Sequence, residues 1–174
     1  MVVRAVHRFL LRIFQRLSVT NRRRVVRMIT PSFTVGSICI IERDDGAVLL
    51  VRHAYRNRWG TPGGLLKKHE EPAVAAKREV SEEVDIRIDL VGQPAVVVDP
   101  YPRRVDVVFR ARPAEGSDAN GVRPRSAEIV EARWFGPDEL PELQLETAEA
   151  LVALAQSIVV GEEHTVLCTH CPVR

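Results

Sequence analysis

The strongest constraint in this chain is a spacing. Gly64 is followed by Glu70 and then, after seven more residues, by the run Arg78-Glu79-Val80-Ser81-Glu82-Glu83-Val84-Asp85-Ile86. Ala73 to Val84 consists of good helix formers with an apolar set at Val74, Val80 and Val84, so the run predicts a helix. On a helix, Glu79, Glu82 and Glu83 stand at i, i+3 and i+4 and share one side. Like charges that close repel, and they destabilise the helix unless a cation sits among them. Oxygen-only donors select hard cations such as Mg²⁺ or Mn²⁺. Mg²⁺ keeps several waters and takes a few carboxylates together with substrate phosphates. The Gly63-Gly64 pair ahead of the helix offers bare backbone that can approach a ligand closely. Phosphoryl transfer or hydrolysis is the reaction class that uses such a set. A solvated acidic helix face would carry the same triplet with no ligand at all. The full pattern separates the two readings: six fixed residue types at set spacings coincide with a probability of about 10⁻⁷ per starting position.

The rest of the chain bounds what surrounds this pattern. With 174 residues, 45% of them hydrophobic and 28% charged, it suits one domain with an appendage. Long disorder, collagen and a disulfide scaffold are excluded. No apolar run approaches the roughly 18 residues that span a bilayer. Cys39, Cys168 and Cys171 form no disulfide framework, which fits a reducing, cytoplasmic setting. Charge is unevenly placed. Residues 1–30 hold eight arginines and no acid, while the remainder holds 17 basic against 23 acidic side chains.

Residues 2–17 read as an amphipathic helix, with Val6, Phe9, Leu10, Ile13, Phe14 and Leu17 at spacings of three and four and Arg4, Arg8, Arg12 and Arg16 as a second stripe. Ser18 to Asn21 breaks the pattern and supplies N-cap candidates for a short second helix ending near Thr30-Pro31. The boundaries expected are a basic amphipathic helical extension over 1–31, a catalytic domain over 32–159 and a tail over 160–174. Phe33–Glu42 and Val48–Val51, joined by the Asp44-Asp45-Gly46 turn, read as a hairpin. A Gly/Pro-punctuated loop surrounds Thr61-Pro62-Gly63-Gly64. Further strands are expected at Ile86–Val98, Val105–Ala111 and Ile129–Phe135, a long surface loop at Pro113–Ser126 and a helix at Glu146–Val159. Strands interrupted by two well-separated helices suggest an α/β fold, a mixed sheet sandwiched between helices. Cys168-Thr169-His170-Cys171 supplies at most three zinc ligands with no second Cys pair, so a tail is the better reading.

At Gly64, Glu70, Arg78, Glu79, Val80, Glu82, Glu83 and Ile86 the sequence resembles the Nudix hydrolase family. Asp85 stands where that family usually has Gly, and His69 replaces another frequent Gly. A Gly at position 85 would supply a left-handed residue at the helix end, a conformation that Asp tolerates better than most side chains. With no partner for its carboxylate, Asp85→Gly would stabilise the fold by about 0.5–1 kcal/mol. Trp59 to Gly64 looks like the family's approach to the motif, and Glu131 to Phe135 followed by Asp138-Glu139-Leu140 looks like its later strand and helix start. The resemblance covers roughly residues 32–158. It implies an α/β/α sandwich with a mixed sheet and hydrolysis of a nucleoside diphosphate linked to another moiety.

On that resemblance Glu79, Glu82 and Glu83 hold one to three Mg²⁺ ions (Mn²⁺ being the alternative), and the Gly64 carbonyl is a further ligand. Arg78 orients Glu79 or Glu70 through its bidentate guanidinium. Glu70 is expected to cap the helix start. A further acid, as ligand or general base, is assigned to Glu128, six residues before Trp134, with Glu131 as the alternative. Tyr101, Arg103 and Arg104 are candidates for substrate binding, the arginines for phosphate and the tyrosine for stacking. Trp59 and Arg52 are added on the approach to the motif, where His53, Arg56 and Arg58 contribute positive potential.

The substrate expected is therefore a nucleotide-type small molecule. A nucleotide-sensing module on the same fold and an RNA 5′-end hydrolase are the alternatives. Nucleic acid is disfavoured as a partner, because Phe9 and Phe14 sit on the apolar face rather than among the arginines. Fully burying an apolar side chain is worth roughly 1.5–3 kcal/mol, so the arm's apolar face needs a cover. The candidates are the protein's own body, a homodimer partner or an anionic membrane surface contacted through residues 2–17.

Overall fold

The computed structural model describes residues 2–160 and 166–168. The chain divides into two compact units, residues 1–33 and 34–174.

The first unit is a helix pair, α1 (Val2–Arg16) and α2 (Val19–Ile29). Ser18 caps α2: its Oγ accepts the Asn21 N–H at 3.4 Å. Arg22 closes the end of α1. Its Nε donates to the carbonyls of Phe14 and Leu17 at 3.1 and 3.0 Å, its Nη2 donates to Gln15, and its guanidinium lies 5.9 Å from the centre of the Phe14 ring. A cation on terminal carbonyls satisfies orphan acceptors and opposes the helix dipole. α2 buries no residue.

The second unit runs β1 (Thr34–Ile41), β2 (Val48–His53), β3 (Trp59–Gly60), β4 (Gly63–Leu65), α3 (Pro72–Val84), β5 (Ile88–Asp99), β6 (Arg104–Pro113), β7 (Ile129–Phe135), α4 (Leu145–Val160) and β8 (Val166–Cys168). One sheet has the order β4-β1-β6-β5-β8 and is mixed: β1 runs parallel to β6, and β5 to β8. The other, β3-β2-β7, is antiparallel.

The mixed sheet is as expected, joined by the second, antiparallel one. The expected hairpin needs correction: β1 and β2 form no extended hairpin. The turn is present, with Arg43 N–H donating to Ala47 O at 2.9 Å, but pairing stops at the Glu42–Val48 bridge. Both edges of β1 are already taken, by β4 and β6, so β2 leaves to pair with β3 and β7. The strands β3 and β4 lie in what reads as a loop, because two or three residues are too few to show periodicity. β8 falls inside the expected tail and pairs with β5, while Thr169 to Cys171, on which a zinc reading turns, lies outside the described residues.

Burial follows the alternation along β1 and β2. Cys39, Ile41, Leu49 and Val51 pack with Ala76, Val80 and Val84 of α3. Ile38, Ile40, Val48 and Leu50 pack with Ala150, Ala153 and Leu154 of α4. Both faces are covered, which explains the apolar runs Ile38–Ile41 and Val48–Val51 within these strands. The result is an α/β/α sandwich with α3 on one side and α4 on the other. Among the described residues no helix is long and apolar enough to cross a membrane.

Candidate active site

Local geometry places the acids first. Pro72 sits in the first turn of α3, where a missing N–H costs nothing. Its partly buried face then carries Glu79 and Glu83 toward β4. Glu83 is buried, 6% exposed, and accepts the Gly63 N–H on Oε2 at 3.2 Å. A Cβ on Gly64 would stand 2.5 Å from the Glu79 carboxylate, so a side chain there would push that carboxylate out of its present place. Burial pushes the Glu83 carboxyl up to about 8; the Gly63 N–H opposes this, and repulsion from Glu79, Glu128 and Glu82 adds to it.

A sign follows for the protein without metal. An acid whose folded value lies above its unfolded one favours the folded state most when protonated. The contribution of Glu83 to stability should therefore be fully present below about pH 4.5 and be lost as pH rises from there through about 8. Glu83→Gln should flatten that profile and melt higher than the parent at pH 8–9, as read by thermal melts in chelator. A parent profile already flat over this range would remove the repulsion argument.

Arg78 organises the other acids. It is 17% exposed, and its Nε and Nη2 reach Glu70 at 2.7 and 2.8 Å. Its Nη1 reaches Glu79 at 2.6 Å and Glu82 at 3.2 Å. It thus orients both Glu70 and Glu79, which makes it a positioning residue. Glu70 does not cap the helix. Glu71 is the N-cap, and Glu70 accepts the Lys67 N–H at 2.7 Å while Arg78 holds its carboxyl down at about 2. Glu82 is solvent-exposed at the rim, shared between Lys67 and Arg78.

A cleft of about 480 Å³ opens between α3, β4, the residue just before β7 and the start of α4. It gathers Gly64, Glu79, Glu83, Glu128 and Arg104, and it leaves Glu82 outside its lining. Glu128 precedes β7 and is fixed by its carbonyl, which accepts the Ala54 N–H at 2.8 Å. Glu131 is elsewhere, paired with Arg52 across β2 and β7 at 2.9 Å. That pair keeps Arg52 off the cleft. Trp59 packs edge-on to Phe135 at 4.8 Å, among apolar residues under α4, and does not line it. Tyr101 and Arg103 occupy an exposed turn outside it, Arg103 with a φ of 53°.

Several residues in or beside the cleft carried little signal. Asp106, on a strand that also carries Arg104, Arg110 and Arg112, is 6% exposed. Burial raises its carboxyl, and the Arg104 guanidinium, at 2.7 Å two residues away on the same strand face, opposes that. Gln144, Glu146 and Thr147 cluster at the start of α4. Arg56 reaches both Gln144 Oε1 and Glu146 Oε1 at 2.9 Å. His53, held low first by burial and then by Arg56, also faces the cleft. The polar residues Gln144, Glu146 and Thr147 around the start of α4 were the available clue.

The donor set fits a hard divalent cation. Glu79, Glu83 and Glu128 line one cleft with only oxygen donors, and Glu83 is buried among like charges that a cation would relieve. Among the described residues no three acid, His or Cys side chains already stand around one point at ligand spacing, since Glu79 leans on Arg78.

The end of α3 differs most from expectation. Asp85 is left-handed, φ 60° and ψ 30°, as the missing Gly implies. Its carboxylate is not free: Arg123 donates to it at 2.8 Å and Arg125 at 2.5 Å, which holds it below the usual carboxylate range. The stabilisation expected for Asp85→Gly assumed no such partners, and the lost ion pairs oppose it.

A mixed sheet between helices, with carboxylates and guanidinium groups facing one cleft, is an arrangement suited to a cation and a phosphate-bearing ligand. The NUDIX domain profile matches residues 32–155. The chain is 33% identical over 116 residues to a MutT-like protein of Streptomyces ambofaciens, covering 67% of this chain and 72% of that protein. It is 33% identical over 113 residues to a CMP-5′-(N-acetyl-N-hydroxy-3-aminopropyl)phosphonate hydrolase of Streptomyces rubellomurinus, where it spans only 54% of the relative's length. A crystal structure of a NUDIX hydrolase from Nitrosomonas europaea superimposes with a TM-score of 0.67 at 26% identity, over 80% of each chain. The chain belongs to the NUDIX domain family and is a hydrolase of that family, whose members generally use divalent metal ions.

Proposed function

We propose that this cytoplasmic enzyme hydrolyses a pyrophosphate bond in a nucleoside diphosphate linked to another moiety, with Mg²⁺ as its cation. The observation that carries this reading is the convergence of Glu79, Glu83 and Glu128 with Arg56 and Arg104 on one cleft. Glu79 and Glu83 would hold the cation, with the Gly64 carbonyl beside them and Glu82 reaching in from the rim. When bound, the cation neutralises phosphate charge and makes water more acidic. The guanidinium groups of Arg56 and Arg104 bind phosphate oxygens. Glu128 accepts a proton from the attacking water. The water oxygen joins phosphorus, the bridging P–O bond breaks, and the leaving phosphate takes up a proton.

A panel of nucleoside diphosphate derivatives and triphosphates with Mg²⁺, scored by product identity, tests this. Two phosphorylated products from the diphosphate derivatives support it. Tight binding without turnover would make the protein a nucleotide sensor, and turnover confined to capped RNA would make it a 5′-end hydrolase.

For residues 2–17 we propose contact with an anionic membrane surface. Four arginines lie in this helix and four more follow by residue 30, with no acid among them; they complement anionic lipid, each worth roughly 1 kcal/mol near such a surface. Phe9 and Ile13 are exposed, so an apolar face is available. The full chain should pellet with anionic vesicles at low salt and less at high salt. Deleting residues 1–30 should abolish pelleting and leave hydrolysis of a small nucleotide intact. A dimer lost on that deletion, with no vesicle binding, would assign the arm to a homodimer.

A further inference from the structure

We propose that Asp85 is a positioning residue that, through Arg123 and Arg125, holds the segment carrying Glu128 against the end of α3. The functional half of this rests on the reading of Glu128 given above.

The connection from β6 to β7 spans residues 114–128, a polar stretch of a length that does not hold a conformation by itself. Its last part is tied at two levels. Arg123 Nη2 and Arg125 Nη1 both donate to the Asp85 carboxylate, one oxygen each, at 2.8 and 2.5 Å. The backbone N–H of Arg125 donates to the carbonyl of Glu83 at 2.9 Å. The segment is thereby joined to the same turn of α3 that presents the buried Glu83 side chain. Three residues later the Glu128 carbonyl accepts the Ala54 N–H at 2.8 Å, which fixes the other end. Between these ties only residues 126 and 127 intervene, so the Glu128 backbone has little freedom.

Asp85 contributes what a glycine could not. The C-cap of α3 is left-handed, where Gly is the ordinary choice and Asp is strained. A non-glycine residue kept in that conformation points to a side chain in use. Its carboxylate is 27% exposed, against 74% and 58% for the two arginines, so it lies closest to the body and gathers both. Isolated surface pairs contribute little to stability. The effect sought here is placement of one catalytic acid, which kinetics reads directly.

Asp85→Asn keeps the left-handed tolerance and the shape while removing the charge. It should lower kcat about 5- to 10-fold with KM within twofold. Amide hydrogen exchange over residues 123–128 should quicken at least tenfold, with exchange in α3 unchanged. Arg123→Ala combined with Arg125→Ala should do the same. In a Glu128→Gln background, Asp85→Asn should leave the residual kcat unchanged, because it acts through Glu128. Parental kcat and exchange in Asp85→Asn would overturn the proposal. So would an equal loss of kcat with and without Glu128. Quickened exchange together with full activity in Glu128→Gln would overturn the reading of Glu128 and leave the tether standing.

Discussion

Glu83→Gln and Glu79→Gln should each lower kcat by about 10²- to 10⁴-fold, a loss of roughly 3–5 kcal/mol of transition-state stabilisation. Glutamine keeps the shape of each side chain. It can still accept the Gly63 N–H at position 83 and the Arg78 guanidinium at position 79, so the loss isolates the charge. Folding should survive, because each substitution removes one member of a repelling set. Glu82→Gln should be milder, since Glu82 is exposed and outside the cleft lining. Steady-state kinetics over a Mg²⁺ titration checks the ranking. Parental turnover at saturating Mg²⁺ in Glu83→Gln or Glu79→Gln would remove the catalytic assignment.

Glu128→Gln should reduce kcat by about 10²-fold or more with KM within a few-fold, the signature of a group that acts in the transition state and not in binding. Glu131→Gln should cost far less, because Glu131 is held by Arg52 and, at 3.6 Å, by Arg133, away from the cleft. Both variants are measured with one substrate at saturating metal. The reverse ranking would move the base from Glu128 to Glu131, and would require the Arg52 pair to open during turnover.

Periodicity made parts of this site legible before any fold was known. The i, i+3, i+4 spacing placed three carboxylates on one helix, and the structure has that helix over Pro72–Val84. Position 85 could be read as left-handed from its place in the motif, and it is. Phe33–Glu42 and Val48–Val51 were legible as strands, though not their burial on both faces. Trp59 was less legible: an aromatic residue near a motif suits stacking on a base as well as packing, and here it packs on Phe135. Arg52 and Arg104 look alike in sequence, yet one is held by Glu131 and the other faces the cleft beside Asp106.

The sequence alone determined the helix and its acidic face, because backbone geometry sets relations among residues a few positions apart, and the family resemblance added its left-handed end. Tertiary structure decided the rest. It turned Glu83 inward beneath Gly63, left Glu82 in solvent, and put Glu128 on the cleft and Glu131 against Arg52. It also brought Gln144 and Glu146 to Arg56 across nearly ninety residues of chain, and Arg123 and Arg125 to Asp85 across about forty. Such meetings depend on which strand edges are already occupied and which helix covers which face. Those are outcomes of packing the whole domain, and no local period records them.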